Sequence, residues 1–149
     1  WTRRRPQPQQ VADGVWLGRL PEAASTLQSV TVVDVCAELP FRGRVRHYRH
    51  VPMLDLATPT PEALRRAAEA IGHGHRRGSV LVCCALGYSR SAAALATWLC
   101  LSGRADSADK AVALLAQDCP WIVLAPRHRR AIDQAVRLPE TPGPLQVNA

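Results

Sequence analysis

Two apolar segments joined by a short, small-residue connection constrain this 149-residue sequence more than any other feature. Ser79 to Cys83 (SVLVC) is an unbroken apolar run of strand length, the pattern of a strand covered on both faces. Ser91 to Leu101 (SAAALATWLCL) is alanine-rich, nearly all apolar and closed by Gly103. A helix that is apolar all round has to be packed on all sides. A buried strand leading into a buried helix needs further strands beside the first and further helices around the second. That requirement points to an α/β fold.

The rest of the chain supplies those neighbours. Gly14-Val15-Trp16-Leu17 reads as a short first strand after a turn, and Thr31 to Val35 (TVVDV) as a second buried strand. Val45 to Val51 (VRHYRHV) alternates and suits a sheet edge. Thr60-Pro61-Glu62 opens a helix with a cap, a proline at the first helical position and an acid in the first turn. Alanines and a leucine carry that helix toward Ile71, and Gly72, Gly74 and Gly78 punctuate its end. Helices over Asp109–Gln117 and Arg127–Val136 follow, the second started by Pro126. The expectation is a central, mostly parallel or mixed twisted sheet of four to five strands flanked by helices. Residues 1–10, basic and rich in Pro and Gln, and residues 139–149 read as disordered tails around one domain over 11–138.

Composition narrows the function classes. An apolar fraction of 47% excludes a disordered polar chain, and no run of 18 apolar residues offers a membrane span. Nineteen basic against 12 acidic residues give a net charge of +7, which favours anionic substrates or surfaces. A nucleic-acid partner is not expected, because Phe41, Tyr48, Tyr88 and the four tryptophans form no basic–aromatic ladder. Five cysteines without zinc-like spacing fit a reducing, cytoplasmic compartment. The start at Trp1 and the Arg3-Arg4-Arg5 tail suit a domain excised from a longer protein at the inner face of a membrane. A monomer is expected.

Chemistry concentrates between the buried strand and the buried helix, in Cys84-Ala85-Leu86-Gly87-Tyr88-Ser89-Arg90-Ser91. At such a junction the N–H groups of a tight loop converge, and the helix adds its positive dipole end. A phosphate held by main chain explains why Ala85, Leu86 and Ser89 can be small or uncharged, with Gly87 making the turn. Arg90 can grip two phosphate oxygens with its planar fork. Cys84, at the base of the loop, would be a thiolate able to attack phosphorus. The spacing Cys-x5-Arg alone is weak, since Cys36 and Arg42 in CAELPFR share it. That copy contains Pro40, lacks glycine and precedes no long helix, so it is set aside.

CALGYSRS resembles the signature loop of the cysteine-dependent tyrosine phosphatase superfamily, and its GYSRS ending is similar to the dual-specificity branch, bacterial type. The likeness extends from ADGVWLG through TVVDV and VPMLD to the last two helices. It implies Cys84 as nucleophile, Arg90 as phosphate clamp, and Ser91 as a hydrogen-bond donor that helps the thiolate leave in the second step. It also implies an acid in an aspartate-bearing loop, and Asp55 lies 29 residues before Cys84 between VPML and LATPTP. Asp34, inside a strand, reads as structural, while Asp118 and Asp133 are candidates to orient Arg90. Where the family carries a histidine before the nucleophile, this chain has Cys83, which alternation turns to the other side of the strand.

The five histidines show no metal-ligand spacing and read as surface or structural residues. No metal or cofactor is expected, because loop amides and Arg90 neutralise the phosphoryl oxygens. The connections around the site are short, which predicts a shallow cleft with Tyr88, Trp121 and Phe41 at its rim. Metal-independent phosphomonoester hydrolysis on phosphorylated Tyr, Ser or Thr of proteins is the leading expectation. A phospholipid monoester, phosphatidylglycerol phosphate or a phosphoinositide, is the alternative; the uncharged loop disfavours polyphosphorylated inositol heads. A phospho-binding module without turnover and a rhodanese-like sulfurtransferase are the remaining readings.

Overall fold

The computed structural model describes residues 8–19, 26–39, 41, 44–85 and 89–142. Five strands, β1 (Gln9–Ala12), β2 (Val15–Arg19), β3 (Thr26–Cys36), β4 (Arg44–Met53) and β5 (Ser79–Cys84), form one sheet in the order β1-β2-β5-β3-β4. β1 runs antiparallel to β2, and every other pairing is parallel, so the sheet is mixed as expected. β5, the SVLVC strand, lies in the middle with its residues 80–84 buried.

β1 is a correction to the sequence reading, which gave residues 9 and 10 to a tail. Gln9 and Gln10 are polar, yet an edge strand needs only backbone partners, and they pair with Leu17 and Trp16 across the Asp13–Gly14 turn. Gly14 takes φ +73, a conformation that few side chains tolerate.

Four helices, α1 (Pro61–Arg77), α2 (Arg90–Leu101), α3 (Ala108–Asp118) and α4 (Pro126–Arg137), complete the domain. They share one core with Val33, Val35, Val80, Val82 and Cys84, so they cover one face of the sheet. The alternate residues Val32, Leu81 and Cys83 form a smaller cluster on the other face. α2 is the central helix, buried from Arg90 to Leu99 and packed against α1, α3 and α4. Its alanines 92, 93, 94 and 96 are fully buried, which lets neighbouring backbones approach closely.

α1 starts where the sequence places it, with Thr60 Oγ1 accepting the Ala63 N–H at 3.1 Å. It does not stop near Gly72 but runs to Arg77 and ends at Gly78, whose φ is +145. Gly74 is there for space: a Cβ would stand 2.8 Å from Val80 Cγ2 and 2.9 Å from Thr31 Cγ2. At the other end of the domain, Arg65 Nη1 donates to the carbonyls of Ala135, Val136 and Leu138, so α1 caps α4.

Gly74→Ala should therefore destabilise the fold. Alanine gains up to about 1 kcal/mol in helix propensity, but wedging a methyl against two stiff β-branched side chains costs about 1–3 kcal/mol. Chemical denaturation should show a lower midpoint for the variant, whereas a gain in stability would mean that α1 stands farther from the sheet.

Candidate active site

β5 ends at Cys84 and α2 begins at Arg90, so the connection leaves the sheet at the carboxyl ends of the parallel strands. Alternation along β5 sends Cys84 into the core under α2 and Cys83 to the opposite face, where burial pushes the Cys83 thiol well up. None of the five cysteines is in a disulfide. Cys84 Sγ lies 3.2 Å from Ser91 Oγ, both buried. Against a thiolate the hydroxyl can only donate. Leu86, Gly87 and Tyr88 lie outside the described residues, whereas Ala85 and Ser89 are half-buried.

Arg90 is 4% exposed, a charge that cannot stay buried without a partner. Glu38, two residues beyond β3, provides it: Nη1 and Nη2 donate to the two carboxylate oxygens at 2.6 Å each. Nη1 also donates to the Met53 carbonyl at 2.9 Å, at the end of β4. These bonds occupy three of the five guanidinium N–H donors of a side chain that lines the cleft. The hydrogen bonds from Arg90 lower the Glu38 pKa to about 2, and the same pair raises that of Arg90.

The sequence reading overlooked Glu38 and offered Asp118 and Asp133 for this task. Asp133 instead accepts the Ala108 N–H at 3.0 Å, a helix-capping bond. Glu38 had a signal, a carboxylate just past the end of a buried parallel strand. It sat inside the stretch set aside as a false Cys-x5-Arg match.

Asp55 stands in the turn after β4, its Oδ1 3.7 Å from Arg90 Nη2. The next residue, Leu56, adopts φ +60, a strained geometry for a leucine, and is 96% exposed. Asp34, by contrast, accepts the Cys36 N–H and the Tyr48 hydroxyl at 2.8 and 2.5 Å, a structural use.

A cleft of about 320 Å³ opens over Cys84, Ser89 and Arg90. Asp55, Leu56 and Ala57 form part of its wall, and Val123, Arg127 and His128 form another. The first turn of α2 carries no acidic residue of its own, and the carboxylates near its start, Glu38 and Asp55, both lie against Arg90. Two expected rim residues are elsewhere. Phe41 stacks on Tyr48 at 4.8 Å and packs on the small cluster across the sheet, where helices leave apolar surface to cover. Trp121 packs on the main core, and Val123 from the same segment takes the cleft position. Among the described residues, no three His, Cys, Asp or Glu side chains gather as metal ligands.

No protein-family model matches the chain, and no curated protein does. Solved structures do match. Tk-PTP in its active form superposes with TM-score 0.73 at 22% identity, covering 89% of this chain and 99% of that one. Human DUSP28 gives 0.72 at 22%, over 86% of this chain and 94% of that one. This chain has the dual-specificity phosphatase fold. PTPMT1, solved in complex with PI(5)P, shares it with TM-score 0.69 at 18% identity, over 87% of this chain and 94% of that one.

The Arg90–Glu38 pair gives the site a pH signature. The Glu38 carboxyl, depressed from 4.5 to about 2 in the folded protein, contributes stability that is present above pH 4.5 and lost as pH falls toward 2. Glu38→Gln should unfold at lower denaturant than the parent at pH 6, and the two midpoints should converge on acidification from pH 5 to 2. A gap that stays constant over that range would show that the pairing does not stabilise the fold.

Proposed function

We propose that this chain is a metal-independent phosphomonoester hydrolase working through a cysteinyl-phosphate. The observation that carries the reading is Cys84 Sγ at 3.2 Å from Ser91 Oγ, beside an arginine that Glu38 holds by both Nη nitrogens. The substrate's phosphoryl oxygens sit against the Arg90 guanidinium and the open N–H end of α2. The Cys84 thiolate attacks phosphorus in line, the P–O bond to the leaving group breaks, and Asp55 protonates the departing oxygen. Water then attacks phosphorus as Asp55 takes its proton, the S–P bond breaks to release inorganic phosphate, and the Ser91 hydroxyl donates to the sulfur as it regains its negative charge. Arg90 and the amide donors neutralise the equatorial oxygens throughout, the role a metal ion plays in other phosphoryl-transfer sites.

Phosphorylated Tyr, Ser and Thr of proteins are the proposed substrates, because the cleft is open and its walls come from short connections. A second reading, a phospholipid monoester, has its own support: Leu56 and Val123, 96% and 63% exposed, give the cleft an apolar margin.

Turnover of phosphotyrosyl and phosphothreonyl peptides, and of a phospholipid monoester in mixed micelles, should persist in a chelator and vanish in Cys84→Ser. Activity that only a divalent metal restores would overturn the mechanism. A lipid preferred over both peptides by more than ~10-fold in kcat/KM, about 1.4 kcal/mol, would favour the second reading.

Asp55→Asn separates the acid from the nucleophile. General acid catalysis supplies roughly 10²–10⁴-fold where the leaving group is poor, so alkyl phosphates should lose about that much. An activated aryl phosphate leaves with little protonation and should lose far less. Equal losses on both would assign the proton to another group.

A further inference from the structure

The cleft has a second basic wall that the hydrolytic steps leave unused. α4 begins at Pro126 and sets Arg127 and His128 into the lining of the cleft that holds Cys84 and Arg90. His128 is 7% exposed, and its Nδ1 accepts the Ala125 N–H at 3.1 Å. A ring nitrogen that accepts carries no proton, so the neutral ring is protonated at Nε2 and offers that N–H as a donor. Burial, reinforced by the charge of Arg127, lowers the His128 pKa and keeps the ring in this neutral form.

Arg127 is exposed at the cleft and, among the described residues, has neither an ion pair nor a side-chain hydrogen bond. Asp55 is the one carboxylate among the described lining residues, and it leans on Arg90. No acid occupies the first turn of α4, so the positive end of that helix adds to the same wall. The cleft, about 320 Å³, is larger than one phosphoryl group fills and has room for a neighbouring group.

We propose that Arg127, the Nε2–H of His128 and the start of α4 form a subsite for a second anionic group. Building on the hydrolase reading, this makes phosphomonoesters that carry another negative charge near the scissile phosphate the preferred substrate class. Arg127 supplies the unpaired charge, His128 a fixed neutral donor, and Arg90 remains committed to the reacting phosphoryl group. The uncharged signature loop lacks such a cation, and the start of α4 provides it.

Two phosphotyrosyl peptides that differ only in Glu or Gln next to the phosphotyrosine test this, since their leaving groups are identical. Calorimetry on Cys84→Ser should give the Glu peptide about fivefold tighter binding at low salt, the advantage of one solvent-facing ion pair. The preference should fall to near unity in Cys84→Ser/Arg127→Gln and in high salt, while the parent chain should show the same ratio in kcat/KM. Equal binding of both peptides, or a preference that survives Arg127→Gln, would overturn the subsite. A Glu preference in binding without turnover of either peptide by the parent chain would retain the subsite and overturn the hydrolase reading instead.

Discussion

A guanidinium buried at the carboxyl ends of the parallel strands organises this protein. Arg90 is 4% exposed and lies at the first position of the central helix, so the fold must bring an anion to it. β3 runs parallel beside β5, with Asp34 opposite Cys83, and this register delivers Glu38 to the place where the strand-to-helix connection emerges. The carboxylate fixes the rotation of the guanidinium about its own plane as well as its position, because both oxygens are engaged. The Met53 carbonyl completes the hold from the end of β4. The ends of two strands, β3 and β4, thus converge on one side chain.

The same helix serves packing and chemistry. α2 is buried along ten residues, which fixes its axis, and its amino end, with no acid of its own in the first turn, lies at the cleft. α1 holds the arrangement from outside: Gly74 lets it settle on the sheet, and Arg65 ties it to the carboxyl end of α4. The other end of α4 is the cleft wall bearing Arg127 and His128. The cleft's second wall is therefore anchored through helix packing as well as through its own loop.

Elements defined by side-chain pattern were legible in the sequence, and those defined by backbone pairing or close approach were not. SVLVC and SAAALATWLCL became the central strand and helix because their side chains demand burial. Gln9 and Gln10 belong to β1 through main-chain bonds that no hydropathy pattern records. Gly72 and Gly74 looked like a helix end because glycine is a poor helix former. In fact the sheet lies too close for a Cβ at Gly74, and that spacing exists only after folding. Phe41 looked like a rim residue from its place in a loop, whereas the uncovered face of the sheet claimed its ring.

For the site, the sequence determined the local part. Cys84 ends β5 and Ser91 lies in the first turn of α2, seven residues apart, and alternation separates Cys84 from Cys83, so the sequence could place these side chains from nearby residues. Partners distant along the chain were decided by tertiary structure. Glu38 reaches Arg90 across 52 residues, Asp55 enters the cleft from a turn after β4, and Val123, Arg127 and His128 arrive from beyond α3. The physical reason is that a side chain's spacing in sequence fixes its neighbours only within a strand or a helical turn. Beyond that, sheet register and helix packing choose which charges meet.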